Sequence, residues 1–449
     1  MQYQNLIRNV VRWCLVATQF AMLIAIIGAF KPGYGQSINS IDRDRARGML
    51  GVIKNDIKKN YYDPSYRGID VDARFKAADD KLKTVESLGQ AYGVIAQVLT
   101  EFNDSHLIFL PPRRPARAEY GWVMQVIGND TFITSVEPGS DAEAKGLKPG
   151  DRVLKVDGFA PNRSNSWKMD YRYHVLRPQP GIQLTVQTGE ESPRDLDIKA
   201  RIVKSKRTLD FTGDFHTDDI EAVLRESSQV GHLKRHRYSE SDQLFIWKMP
   251  QFDMNEEEID DMMNKAAAHK ALILDLRGNG GGAIVTLERL VGNLFDHDVK
   301  IADVKSRKDD KPILAKTRGG KTFKGQVIVL IDSKSGSCAE LLARVIQLEK
   351  RGTVIGDVSA GAVMRARAFN YEMGGASVID YGVHITNANL LMADGNSLEH
   401  VGVTPDEQVL PSAKDLANEL DPVLSRAAEL AGVRLDPAKA GKLFPFEWR

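Results

Sequence analysis

At 449 residues the chain exceeds what one hydrophobic core supports, and its length implies two or three domains. A hydrophobic content of 42%, 27% charged residues and 37 glycines belong to an ordinary globular protein and exclude collagen-like, disordered and multi-span membrane classes. Lys plus Arg number 61 against 60 Asp plus Glu, a net charge of +1, so no global field recruits nucleic acid, which is excluded as a partner.

The first 36 residues differ from the rest. Arg8 and Arg12 precede an almost uncharged run from Trp13 to Phe30, which Lys31, Pro32 and Gly33-Tyr34-Gly35 break. A basic start, an apolar middle and a small-residue end read as a secretory signal cleaved near Gly35. The run is also just long enough to span a bilayer, so a retained membrane tether through residues 8–30 and a buried helix are the alternatives. Signal and anchor both place the remainder outside the cytoplasm, in the periplasm or an equivalent compartment. Of the two cysteines, Cys14 would leave with a cleaved signal, and Cys338 alone cannot form an intrachain disulfide.

Between Ile41 and Asn60, Met49, Val52, Ile53 and Ile57 recur at helical spacing. Leu88, Tyr92, Ile95, Ala96 and Leu99 do so again after Ser87, a candidate N-cap. This helical region ends in Asn103-Asp104-Ser105-His106, Leu107–Leu110 and the breaker Pro111-Pro112.

After a basic linker at 113–117 the texture turns to strands. Thr131–Val136 is followed by Pro138-Gly139-Ser140, a short helix at Asp141–Lys145, the turn Gly146–Asp151 and the strand Arg152–Gly158. That order of turn signals resembles a PDZ domain over 118–203. The resemblance places Gly121, Trp122 and Val123 in the loop that binds a peptide carboxylate, with a captured chain adding a strand to the sheet edge. A β domain that only spaces its neighbours is the alternative.

The C-terminal half alternates strand and helix: strand Leu244–Met249, helix Glu256–His269, and the continuous apolar strand Ala271–Leu276. Gly-rich Arg277–Gly282 leads into a helix at Ala283–Phe295, and strand Val327–Ile331 is followed by Ser335-Gly336-Ser337-Cys338, a helix to Gln347, and strand Thr353–Gly356. Strand, crossover helix, strand implies a mostly parallel sheet covered by helices, with reactive groups at the carboxyl ends of its strands. A single amphipathic helix is expected at Asp415–Gly432.

Ser337 lies between a strand and a helix, where free N–H groups and the helix dipole favour developing negative charge, as a nucleophile requires. Read by position alone it is equally a helix cap, with Glu340 completing a capping box. Gly280–Gly282 reads alone as a helix-opening turn, and no Gly-Lys-Ser/Thr follows it to suggest phosphate binding. Cys338 is an alternative nucleophile, because a thiolate at a helix N-terminus is activated. His216, His232, His236, His384 and His400 show no metal-ligand spacing, so neither metal nor cofactor is proposed.

Taken together, Asp275-Leu276-Arg277-Gly278-Asn279-Gly280-Gly281-Gly282, Ser335–Glu340 and the stretch from Gly356-Asp357 resemble the carboxy-terminal processing (tail-specific) serine proteases and the tricorn protease core. The resemblance covers about 230–432, with the PDZ and a helical segment before it. Members with a Ser/Lys dyad carry lysine in a Gly-Lys-Gly just after the strand; here Ser359-Ala360-Gly361-Ala362-Val363 stands there, and no lysine occurs between Lys350 and Lys414. The tricorn type resembles this chain instead in a Ser-His pair before the PDZ, matched by Ser105-His106, and in a glutamate matched by Glu399 of Leu398–Asp406. The resemblance thus implies Ser337 as nucleophile, His106 as base, Glu399 acting on the imidazole directly or through Ser105, and the Gly282 and Cys338 N–H groups as oxyanion donors.

The resulting expectation is a multi-domain α/β serine peptidase acting on polypeptides: signal or anchor 1–36, helical region 37–117, PDZ-like domain 118–203, α/β protease core 204–435 and tail 436–449. A catalytically silent peptide-binding scaffold, motivated by Ala362, is the alternative, with a cleft for a small apolar ligand behind it. Oligomeric state stays open at this level.

Overall fold

The computed structural model describes residues 38–114, 116–204, 236–308, 311–374 and 379–448. The expected signal or anchor lies outside these residues, as do Cys14, His216 and His232.

Asn39 caps helix α1 (Ser40–Asn60), accepting from the Asp42 N–H at 2.8 Å, and Ala46, Met49, Leu50, Ile53 and Ile57 form its buried stripe. Val52, expected in that stripe, is exposed. Helix α2 (Val71–Leu82) has too few apolar residues to stand out in the sequence, yet it buries Val71, Phe75, Ala78 and Leu82. Ser87 caps α3 (Leu88–Thr100) as expected, accepting from Gln90 N–H. These helices share one core with Leu107 and Phe109, and strand β1 (Ile108–Leu110) follows.

The next unit contains β2 (Ala116–Glu119), β3 (Trp122–Ile127), β4 (Asp130–Val136), helix α4 (Asp141–Ala144) and β5 (Arg152–Val156). Helix α5 (Ser166–Asp170) then runs into a π turn at Tyr171–Leu176, before β6 (Gly181–Gln187), β7 (Arg194–Lys199) and β8 (Arg201–Lys204). The five-stranded sheet has the order β3-β4-β5-β6-β7, and β2 pairs with β8 as a separate ribbon. Strand β3 is therefore an edge of this sheet.

The α/β core begins with β9 (Arg237–Glu240), β10 (Leu244–Lys248), α6 (Glu256–Ala266), β11 (Ala271–Asp275) and α7 (Ile284–Leu294). It continues with β12 (Val299–Lys305), β13 (Ile313–Ala315), β14 (Gln326–Ile331), α8 (Cys338–Leu348), β15 (Gly352–Gly356), β16 (Met364–Met373), β17 (Ile379–Leu391) and β18 (Glu407–Gln408). A six-stranded sheet in the order β18-β15-β14-β11-β10-β9 is parallel except at β9. Strand β11 sits between β10 and β14 with every residue buried, which is why its apolar run is continuous instead of alternating. A second sheet, β1-β17-β12-β13 with β16 on β17, ties the N-terminal region to the core.

The helix expected over 415–432 is instead two, α9 (Ala413–Ala417) and α10 (Pro422–Leu430). Pro422 disfavours helical backbone at Asp421, which turns outward and caps α10 through the Leu424 N–H at 2.9 Å. Residues beyond 436 form α11 (Pro437–Leu443), whose Ala440 is buried against the core. Among the described residues no helix is long and apolar enough to cross a membrane.

Candidate active site

Strand β14 delivers the chain to a turn at Asp332–Gly336 whose own bonds fix its shape. The buried Ser335 hydroxyl donates to the Leu276 carbonyl at 2.8 Å, and the Gly336 N–H donates to the Asn279 carbonyl at 2.8 Å. Ser337 follows at the N-cap of α8 with φ +52° and ψ −119°, a conformation that costs a non-glycine residue of order 1–3 kcal/mol and that surrounding bonds must hold. Its N–H donates to the Ala362 carbonyl at 2.9 Å and to the Glu340 carboxylate at 3.0 Å. Cap position and candidate nucleophile thus coincide in one strained residue.

Glu340 is the clamp. One of its oxygens accepts from Ser359 Oγ (2.6 Å) and Gly361 N–H (2.7 Å), the other from Ala362 N–H (2.9 Å) and Ser337 N–H (3.0 Å). Burial pushes its pKa up to about 7 against the pull of these donors. Ala362 therefore contributes through its backbone.

The glycine run packs on the same turn. Asn279, fully buried, accepts from Gly281 N–H at 2.8 Å and donates to the Met249 carbonyl at 2.8 Å. A Cβ on Gly281 (φ +104°) would fall 2.5 Å from Ser337 Cβ, and one on Gly282 (φ +144°) would fall 2.3 Å from the Phe252 carbonyl oxygen, so neither position admits a side chain. The bridge from Phe252 to Gly282 uses the Phe252 and Ala283 N–H groups, which turns the Gly282 N–H away from it. The Cys338 N–H opens α8 and is one of its orphan donors. Cys338 Sγ points at the Gly282 carbonyl (3.2 Å), and burial pushes the thiol up to about 12, so it stays protonated and is a poor nucleophile.

The second half of the site comes from the segment before β1. Asp104 is buried and accepts from Tyr61 OH (2.9 Å), Thr386 Oγ1 (2.6 Å) and His106 N–H (3.0 Å), which fixes the backbone of the pair that follows. Ser105 meets Glu399 twice, through its N–H at 2.9 Å and its hydroxyl at 2.8 Å, and Ser105 Oγ lies 2.8 Å from His106 Nδ1. Burial lowers the His106 pKa despite the opposing carboxylates of Glu399 and Asp104, so the ring is neutral at neutral pH.

The two halves meet at Ala362-Val363. The Ala362 carbonyl holds the Ser337 N–H, and the next N–H, that of Val363, donates to Glu399 at 2.9 Å. The fold thus links Ser105, His106 and Glu399 by direct bonds, gathers Gly282, Ser337 and Cys338 at one turn, and joins the groups through one peptide unit.

Gly121, Trp122 and Val123 lie elsewhere, at the start of edge strand β3. Gly121 (φ +73°) packs on Ser140, while Trp122 and Val123 are buried and pair with Val136 and Ser135. Sequence reasoning missed Asp104 and His400. Asp104 was detectable as an acid two residues before a candidate base, a spacing that favours a side-chain bond to the His106 N–H. His400 Nε2 donates to the Asn103 carbonyl at 2.8 Å and lies 3.3 Å from Glu399; its ring is close to the site without any ligand-like spacing. Among the described residues no cluster of His, Cys, Asp or Glu could hold a metal ion.

Residues 246–409 match the model of peptidase family S41, and residues 114–187 match that of the PDZ domain. The carboxy-terminal processing protease CtpA of Bacillus subtilis is 23% identical over 80% of this chain and 70% of its own length. The chloroplastic C-terminal processing peptidase of Tetradesmus obliquus is 22% identical over 79% of this chain and 75% of its own. Among solved structures, mature CPAF superimposes with a TM-score of 0.62 at 16% identity, covering 84% of this chain and 95% of that one, a likeness of fold.

Proposed function

Because its core belongs to peptidase family S41 and a PDZ domain precedes that core, we propose that this serine peptidase cleaves polypeptides by acyl transfer on Ser337, with His106 as base and Glu399 acting through Ser105. The reading rests on the proton inventory of Ser105. A hydroxyl has one proton to donate. Ser105 gives it to Glu399, so toward His106 its oxygen is an acceptor and the imidazole carries its proton on Nδ1. The Nε2 lone pair is then bare, which is the tautomer a general base needs.

Ser337 Oγ attacks the scissile carbonyl while its proton passes to His106 Nε2. The imidazolium is stabilised through Ser105 by the Glu399 carboxylate. The oxyanion is held by the Gly282 and Cys338 N–H groups. The imidazolium protonates the leaving amine, and water admitted to the same base hydrolyses the ester. The family match favours this reading over a silent scaffold, and His106 supplies the base that Ala362 cannot. The names of the relatives suggest cleavage near substrate carboxyl ends. The basic start and apolar run of residues 8–30 suggest export, with or without a retained tether.

Labelling with a fluorophosphonate probe followed by peptide mapping tests the proposal. We expect modification of Ser337, absent in Ser337→Ala, together with casein hydrolysis lost in both Ser337→Ala and His106→Ala. A folded His106→Ala protein that hydrolyses casein at the wild-type rate would overturn it. Recovery of an N-terminus near Gln36 from membrane-free culture fractions would support export with cleavage.

A further inference from the structure

The free edge of the PDZ sheet is not free. Gly128 and Asn129 form a tight turn between Ile127 and Asp130, which face each other across β3 and β4. Alternation along an antiparallel pair then turns the backbone groups of Met124 and Val126 outward, to the edge an incoming strand would use. Those carbonyls are occupied by the core: Lys334 Nζ donates to the Met124 carbonyl at 2.8 Å, and Ser333 Oγ donates to the Val126 carbonyl. Lys334 also interacts electrostatically with Asp170 on α5. Gln125 Nε2 donates to Asp332 at 2.8 Å, Gly128 N–H to Asp357 at 2.9 Å, and Arg163 to the Val358 carbonyl at 2.8 Å.

We propose that Ser333-Lys334 is an internal ligand of the PDZ groove, so that the module grips the nucleophile turn and does not accept a peptide strand along β3. A strand added there needs the Met124 and Val126 carbonyls as ladder acceptors, and each is taken by the protein's own side chain. The grip reaches both sides of the catalytic turn through Asp332. While one carboxylate oxygen accepts from Gln125, the other accepts from Gly278 N–H (3.0 Å) of the glycine loop and from Lys334 N–H (2.9 Å). Lys334 is thus a positioning residue for Ser337. The occupied groove follows from the PDZ geometry alone; the positioning half rests on Ser337 as nucleophile.

The binding half is tested in the full chain carrying Ser337→Ala, so that catalysis plays no part. Fluorescence anisotropy is recorded with a fluorescein-labelled decapeptide ending in a free apolar carboxyl terminus, and with its amidated twin. We expect no carboxylate-dependent binding by Ser337→Ala alone. Adding Ser333→Ala and Lys334→Met, which keeps the aliphatic stem, should strengthen binding of the free-acid peptide by about tenfold or more, the weight of a charge-assisted bond. Equal binding by both proteins, or binding by neither, would overturn the internal ligand. In the active protein, Lys334→Met should lower kcat with KM little changed, and Lys334→Arg should recover much of the loss; unchanged kcat in Lys334→Met would overturn the positioning role even where the binding result holds.

Discussion

Glu399 and Ser105 lie 294 positions apart in the chain, yet one carboxylate receives both the N–H and the hydroxyl of that serine. The double attachment makes Ser105 a relay with a fixed direction, because its single proton is committed to Glu399. Replacing Glu399 by Gln sets an amide N–H either against the Ser105 N–H or against the Ser105 hydroxyl and Val363 N–H, which share one oxygen, so a bond of the relay is lost together with the charge that stabilises the imidazolium. We expect kcat on a fluorogenic peptide to fall about 10²- to 10⁴-fold with KM little changed, as when the carboxylate of a triad is removed. Ser105→Ala should fall less, since the His106 backbone keeps its anchor to Asp104. A Glu399→Gln enzyme with wild-type kcat would remove Glu399 from the mechanism.

The glycine loop offers a matched set of substitutions. Gly281→Ala places a methyl 2.5 Å from Ser337 Cβ, whereas at Gly280 an added Cβ meets nothing within 4 Å. Gly280→Ala should therefore keep near wild-type activity. Gly281→Ala should lose about 10²–10³-fold in kcat, comparable to losing one oxyanion donor, because the nucleophile is pushed out of line. Parallel kinetics and circular dichroism of the two variants decide it, and equal activity would mean the turn yields where the packing says it cannot.

Much of this organisation was legible in the residues, and the failures have physical causes. Strand β11 and helices α1 and α3 announced themselves because burial of whole strands or of one helix face leaves an apolar pattern in the sequence. The hairpin of β16 and β17 did not: Met364–Met373 alternates with Arg, Asn and Glu on a mostly half-buried strand, and its pairing is set by tertiary contact. Ser337 and its glycines were recognisable since each sits in a local motif. The joints between them, Ala362 to Ser337 and Val363 to Glu399, are backbone hydrogen bonds across distant segments, and any side chain at 362 or 363 can make them.

Glu340 gives a pH signature in stability. Burial raises its folded pKa to about 7, above the roughly 4.3 of an unfolded glutamate, so the native state holds the proton more tightly. The corresponding stabilisation is complete below about pH 4.3 and is lost as pH rises to about 7, an amount on the order of 4 kcal/mol at most. His106, with its pKa lowered by burial, acts with the opposite sign, so wild type should be compared with Glu340→Gln to cancel it. Urea unfolding at several pH values between 5 and 8 should show the wild-type advantage shrinking as pH rises; a constant difference would mean that Glu340 is ionised throughout.

His400 has φ +61°, donates its backbone N–H to the Gly361 carbonyl at 2.7 Å, and spans Asn103 and Glu399 with its ring. It therefore straps the Ser105-His106 segment to the Glu399 loop. Glycine at this position keeps the backbone without strain and deletes only the ring, so His400→Gly isolates the strap. We expect kcat/KM to fall about tenfold, roughly the weight of one hydrogen bond to a carbonyl. Thermal stability should change little, and an unaltered kcat/KM would reduce His400 to a surface residue.

Arg277, at the centre of the Asp-Leu-Arg-Gly-Asn signature, is a structural residue. Its guanidinium donates to Asp275 at 2.9 and 2.8 Å and to Asp421 at 2.8 and 2.7 Å, so it pins the cap of α10 to the end of β11. Asp275 is fully buried, and Arg277 and Lys248 hold its carboxyl far below the usual range. Arg277→Ala leaves that charge with Lys248 alone at 3.1 Å, and breaking a buried pair from one side costs about 3–5 kcal/mol. Arg277→Lys should recover little, because an ammonium cannot serve two carboxylates with a planar fork. Urea unfolding of the two variants measures this. Loss of activity without loss of stability in Arg277→Ala would instead place the guanidinium in the chemistry, which its bonding to Asp275 and Asp421 argues against.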